Sequence, residues 1–342
     1  MITENILICF FILFNFFLIF FHDEIKLFHI NLDNPDNRRK MHKNPTPLSG
    51  GIIIILNIII YFLFAINNNE IAIKEIVFFN SHETLIIFMI TSFLIFLVGF
   101  IDDRSDLRAS IKFILISIII LFIVFFDNSL IIEDIKFSFF EKNFYLSIYS
   151  LIFTVFCFLV FLNALNMFDG INLQSGIYLV TITTSILLFY SNSLLIKIFL
   201  ISILTYSYLN FKNKCFLGDS GALLVAFIVG YLFVKLYNNN IISFADEIVI
   251  YMLVPGVDLI RLFFKRIFLK RNPLTSDRFH LHHLLLLKFS YKKTIVILFV
   301  LIIFPIIMNY LQINNLFIII FFVFIYSFLV SFVNKSIKTN SL

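Results

Sequence analysis

Five polar clusters interrupt an otherwise apolar chain, and each carries residue types that handle phosphate, a divalent cation or a sugar. The first holds Pro35-Asp36, Arg38-Arg39-Lys40 and His42, then Pro45-Thr46-Pro47 and Gly50-Gly51. The second is Asp102-Asp103, followed by Arg104, Asp106, Arg108 and Lys112. Adjacent carboxylates repel unless a cation or proton relieves them. The pair therefore reads either as a solvated helix end or as part of a metal-bound phosphate site, and the mixed charges behind it suit the second. In the third cluster Asn163, Asn166 and Asp169 stand at i, i+3 and i+6, before Gly170. At about 100° per residue they share one helix face, pointing into a cavity or bonding a neighbouring helix. The fourth, Gly218-Asp219-Ser220-Gly221, opens an apolar run. Asp219 or Ser220 would cap that helix, whose free N–H groups suit a phosphate. Mg2+ is typically held by one or two carboxylates plus substrate phosphates. Asp219 fits that pattern, with Asn166 or Asp169 as a second ligand. The fifth cluster is His280, His282 and His283, behind Arg271, Asp277 and Arg278. It has no neighbouring Cys and no HExxH spacing, so phosphate and sugar contacts suit it better than zinc.

The elements that must position these clusters are membrane spans. Hydrophobic residues make up 61% of the 342 positions and charged residues 14%, against about a quarter in a soluble domain. Mean hydropathy is +1.01. A bilayer core takes about 20 apolar residues per helix. Eleven candidates follow: 5–21, 48–66, 84–101, 111–127, 144–165, 176–190, 194–210, 221–237, 246–264, 294–309 and 314–333. The expected fold is all-α, a polytopic bundle of about eleven transmembrane helices with residues 1–342 as a single domain. With the N-terminus outside, the inner loops hold 21 of the 26 Lys and Arg. That bias sets the orientation and puts all five clusters on the cytoplasmic face. Ionisable groups at the membrane are costly and usually functional, so one site at that boundary is expected, and the outer loops look bland. A transporter would place polar groups near the midplane, where this chain has Phe, Ile and Leu. Cys9, Cys157 and Cys215 read as small hydrophobes. The formal charge of +5 carries no nucleic-acid signal. Arg261, Lys265, Arg266 and Lys270 alternate with apolar residues as an interfacial basic helix suited to lipid phosphate.

Five stretches in this order resemble the polyprenyl-phosphate N-acetylhexosamine-1-phosphate transferase superfamily, glycosyltransferase family 4. They are NPDNRRKMHKNPTPLSGG (34–51), GFIDDR (99–104), NALNMFDGINLQSG (163–176), FLGDSGALL (216–224) and PGVDLIRLFFKRIFLKRNPLTSDRFHLHHLL (255–285). The first and last are closer to the bacterial undecaprenyl-phosphate GlcNAc-1-phosphate transferases that start O-antigen, common-antigen and teichoic acid synthesis. They resemble the phospho-MurNAc-pentapeptide translocase less. Two positions depart from the family pattern: Leu48 where a basic residue is common, and Ile171-Asn172-Leu173 where a second Asp-Gly is common.

The resemblance implies transfer of N-acetylhexosamine-1-phosphate from a UDP-sugar to undecaprenyl phosphate in the bacterial inner membrane, with release of UMP. It implies Mg2+, with Mn2+ an alternative, held by Asp219 and Asn166. It gives Asp102, with Asp103 beside it, the role of deprotonating or orienting the lipid phosphate. Asn163 and Asp169 would hold the nucleotide or sugar. Lys112, Arg278, His280 and His282 would hold phosphates, with His42 and His283 also lining the site. The expected partners are the UDP-N-acetylhexosamine, undecaprenyl phosphate and membrane lipid, with a homodimer left open.

Overall fold

The computed structural model describes residues 4–35, 44–68, 75–270 and 279–340, the last six without their side chains. His42 and Arg278, with Arg38-Arg39-Lys40, Arg271 and Asp277, lie outside the described residues.

The chain folds as an all-α membrane bundle. In chain order its helices are α1 (Glu4–Phe20), α2 (Gly50–Ile66), α3 (His82–Ser105), α4 (Ala109–Phe126), α5 (Ser150–Phe168), α6 (Gln174–Phe189) and α7 (Leu194–Phe211). They continue as α8 (Gly218–Asn238), α9 (Ala245–Tyr251), α10 (Leu253–Phe268), α11 (Leu281–Lys288), α12 (Tyr291–Tyr310) and α13 (Asn315–Asn340). Seven of the described helical segments are long and apolar enough to cross a membrane, and α1, α2 and α6 are shorter apolar helices. The stretch 246–264, expected as one span, is instead two helices, α9 and α10, that break at Met252, shortly before Pro255. Proline has no N–H to continue the ladder.

Helix α8 is the centre, buried from Ser220 to Tyr237, with α2, α3 and α5 packed around it. Lipid tails and helix faces are equally apolar, so close packing rather than the hydrophobic effect holds such helices together. Glycines make that approach here. A Cβ at Gly51 would stand 2.5 Å from the Gly221 nitrogen, and one at Gly99 2.5 Å from the Asp219 carbonyl oxygen. Helices α2 and α3 thus reach α8 backbone to backbone at its first turn, where the polar clusters lie. Asn15 and Asn57 join α1 to α2 by reciprocal amide hydrogen bonds of 2.7 and 3.2 Å.

The opposite end is not bland. Strands β3 (Asp134–Phe137) and β4 (Phe140–Tyr145) form an antiparallel hairpin before α5; the short pair β1 (Leu32–Asp33) and β2 (Thr46–Pro47) lies near the site. Ser138 of the hairpin donates through its N–H to Asp246 at 2.8 Å. Lys235 on α8 pairs with Asp127 at 2.8 Å, both almost fully buried. Glu75 accepts from the N–H groups of Leu194 and Leu195, at 2.6 and 3.2 Å, at the start of α7. These charges lock helix ends together: buried charges persist where they are paired and hydrogen-bonded.

Candidate active site

The second and fourth clusters meet at the first turn of α8. Helix α3 ends in a left-handed residue, Asp106, whose N–H closes on the Asp102 carbonyl. The chain turns back at once, so the Leu107 N–H donates to Asp102 Oδ1 at 2.7 Å. Lys112, one turn into α4, then faces Asp102. Its Nζ donates to Asp102 Oδ2 at 2.6 Å and to Asp219 Oδ2 at 3.0 Å. Two carboxylates on different helices therefore converge on one ammonium.

Asp103 points elsewhere. Its Oδ1 accepts from the Asp219 N–H at 2.7 Å; its Oδ2 accepts from the Ser220 N–H at 3.1 Å and the Ser220 hydroxyl at 2.6 Å. The cap of α8 is supplied by α3, not by Asp219 or Ser220 themselves. Gly218 has φ of +72°, and a Cβ there would stand 2.7 Å from Asp103 Oδ2, so glycine is required on both counts.

A cleft of 790 Å³ opens onto this corner and is lined by Asp102, Asp103, Asn166, Asp169, Asp219 and His283, among others. Asn163 is exposed and does not line it. Helix α5 ends at Phe168, so the expected helical face stops before Asp169. Asp169 Oδ1 accepts from Ser175 Oγ at 2.6 Å, and that oxygen lies 2.9 Å from the Tyr206 hydroxyl. Burial raises the Asp169 pKa to about 6, despite the Ser175 bond. The following loop is strapped down. Leu173 N–H donates to Asn210 at 2.6 Å, Asn172 to Asn213 at 2.5 Å, and the Tyr291 hydroxyl to the Asn172 carbonyl at 2.7 Å. Asn210, Asn213 and Tyr291 escaped the sequence reading, because single polar residues at helix ends carry no spacing signal.

The histidines divide. His280 Nδ1 lies 2.8 Å from Asp258 Oδ2. Asp258 also accepts from Arg261 at 2.7 Å and from Tyr326 of α13 at 2.5 Å. His282 is buried beside Gln174, and only His283 of the three lines the cleft.

Among the described residues no group of three or more His, Cys, Asp and Glu could hold a metal ion. The Asp219 carboxylate and the Asn166 amide both line the cleft, and their oxygens fit Mg2+ that is completed by substrate phosphates.

This corner lies inside the part of the chain that is similar to known proteins. Residues 85–237 match the model of glycosyl transferase family 4. The resemblance to that family, drawn from the five stretches, therefore holds. The chain is 26% identical over 269 residues, 75% of its length and 70% of the relative's, to the undecaprenyl-phosphate alpha-N-acetylglucosaminyl 1-phosphate transferase of Salmonella typhi. The proteins of the same name from Yersinia pestis and Escherichia coli (strain K12) are 25% and 23% identical over the same shares. The matched segment holds Asp102, Asp103, Lys112, Asn166, Asp169 and Asp219. The histidine cluster lies beyond it.

Proposed function

We propose that this chain, as one transferase unit, moves N-acetylglucosamine-1-phosphate from UDP-GlcNAc to undecaprenyl phosphate at the cytoplasmic face of the inner membrane. An oxygen of the lipid phosphate attacks the β-phosphorus of the donor. The bond from that phosphorus to the bridging oxygen breaks, and UMP leaves with the electron pair. The convergence of Lys112 on Asp102 and Asp219, two carboxylates that line a cleft at a helix N-terminus, carries the reading, because phosphoryl transfer is positioning plus charge neutralisation. The names of the relatives support the same acceptor and sugar.

Asp219 and Asn166 would hold Mg2+, which supplies charge neutralisation for the pyrophosphate. Lys112 presents its ammonium to a phosphate oxygen. Asp102 has both oxygens occupied, by the Leu107 N–H and by Lys112. That favours an electrostatic role, holding Lys112, over removal of a proton from a phosphate already largely ionised near neutral pH. Asp103 acts by positioning α8, and Asp169 with the strapped loop receives the nucleotide or sugar.

The test is UMP release in proteoliposomes containing undecaprenyl phosphate, with UDP-GlcNAc, UDP-GalNAc, a 6-deoxy UDP-sugar and UDP-MurNAc-pentapeptide as donors. UDP-GlcNAc should be the best donor, and Asp219→Asn should abolish release while remaining membrane-inserted. Release from the pentapeptide donor alone, or from none, would overturn the reading.

A further inference from the structure

Behind the cleft wall the stretches 163–176 and 255–285 touch. Gln174 and His282 are 1% and 2% exposed. Gln174 Nε2 lies 3.2 Å from His282 Nδ1. An amide nitrogen only donates, so Nδ1 accepts and the ring proton sits on Nε2. Burial, with the neighbouring histidines, pulls the His282 pKa well below its ordinary value and keeps the ring neutral. Among the described residues neither His282 Nε2 nor Gln174 Oε1 has a hydrogen-bond partner.

The ring faces a backbone instead. A Cβ on Gly170 would stand 2.1 Å from His282 Nε2 and 2.3 Å from Cε1. Gly170 lines the cleft and His282 does not. His280, held by Asp258, stacks parallel to His282 at 5.6 Å and 4°, and His283 packs against it at 4.2 Å. A buried donor left without an acceptor costs stability, so what the ring contributes is its flat shape and fixed orientation.

We propose that Gln174 and His282 are positioning residues. Together they form a backstop that sets the Asp169–Leu173 loop against the cleft, and His282 acts through Gly170 rather than on a phosphate. This rests on the reaction proposed above, whose loop must place the donor opposite Asp219.

The experiment is a double-mutant cycle in the full-length protein, with Gly170→Ala, His282→Ala and the pair together. Melting temperature and UMP release from UDP-GlcNAc are both measured. Gly170→Ala must displace the loop by roughly an ångström, and a misplacement of that size costs about 10²-fold in turnover. His282→Ala removes the ring that the methyl strikes. The double variant should therefore turn over at least about tenfold faster than Gly170→Ala, and its loss of melting temperature should be smaller than the sum of the single losses. Gln174→Leu should lower turnover, and adding His282→Ala to it should lower turnover little further, because the two residues act as one unit. A double variant no faster than Gly170→Ala, or fully multiplicative losses for Gln174→Leu and His282→Ala, would overturn the proposal and give His282 a direct contact. A wild-type chain that releases no UMP fails the reaction reading instead, whereas absence of coupling in melting temperature fails the backstop itself.

Discussion

Replacing Asp103 by Asn isolates the link between α3 and the first turn of α8. The carboxylate accepts three hydrogen bonds, two from backbone N–H groups at 2.7 and 3.1 Å and one from the Ser220 hydroxyl at 2.6 Å. Asparagine keeps the shape but presents one acceptor. Its NH2 must then face the N–H of Asp219 or that of Ser220, and at least one helix N–H loses its partner. Loss of an N-cap costs about 1 kcal/mol. Loss of negative charge at the helix start adds about 0.3–1 kcal/mol. Unfolding entropy of about 2.1 cal/mol/K per residue over 342 residues converts roughly 1.3–2 kcal/mol into a fall of about 2–3 °C in Tm. Bilayer helices keep structure on unfolding, so the entropy is smaller and the observed fall larger. Turnover should drop about tenfold or more, because the Asp219 backbone that Asp103 grips carries the carboxylate of the site. Size-exclusion thermostability and UMP release measure the two effects. An unchanged Tm would refute the capping argument, and lost turnover at unchanged Tm would give Asp103 a direct role in the reaction.

Gly99→Ala places a methyl 2.5 Å from the Asp219 carbonyl, so α3 and α8 must part; overpacking should cost about 1–3 kcal/mol, visible as lower Tm and lower turnover in the same assays. Lys112→Met leaves Asp102 and Asp219 facing each other and removes the ammonium, so turnover should fall about 10²–10³-fold, and near-normal UMP release would remove Lys112 from the site. Asp169 binds its proton more tightly folded, with a pKa of about 6, than in the unfolded chain, where it is about 3.9. Stability should therefore decline as pH rises from about 4 to 6, and Asp169→Asn should remove that decline; parallel Tm curves for the two proteins across this window would contradict it.

Some of this architecture is written in the chain itself. The transfer energy of each apolar run decides whether it enters a bilayer, and that is a local property. The clusters at the run ends could likewise be seen, and residue chemistry alone pointed to phosphate and a hard cation. The broken helix at Met252 was half visible, since Pro255 stands in the run. What each polar residue touches was not. Asp102 and Asp103 are neighbours about 100° apart on a helix, and only the close approach of α3 to α8 at Gly99 gives one Lys112 and the other the cap. His282 and His283 are equally adjacent, yet one supports Gly170 from behind and the other faces the cleft. Lys235 and Asp127, 108 residues apart, carry no spacing that announces their buried pair. Lipid and neighbouring helices look alike to an apolar side chain, so hydrophobicity does not encode how far each helix is rotated about its axis. Close packing at a few glycines sets that rotation, and with it which of two adjacent side chains reaches the cleft.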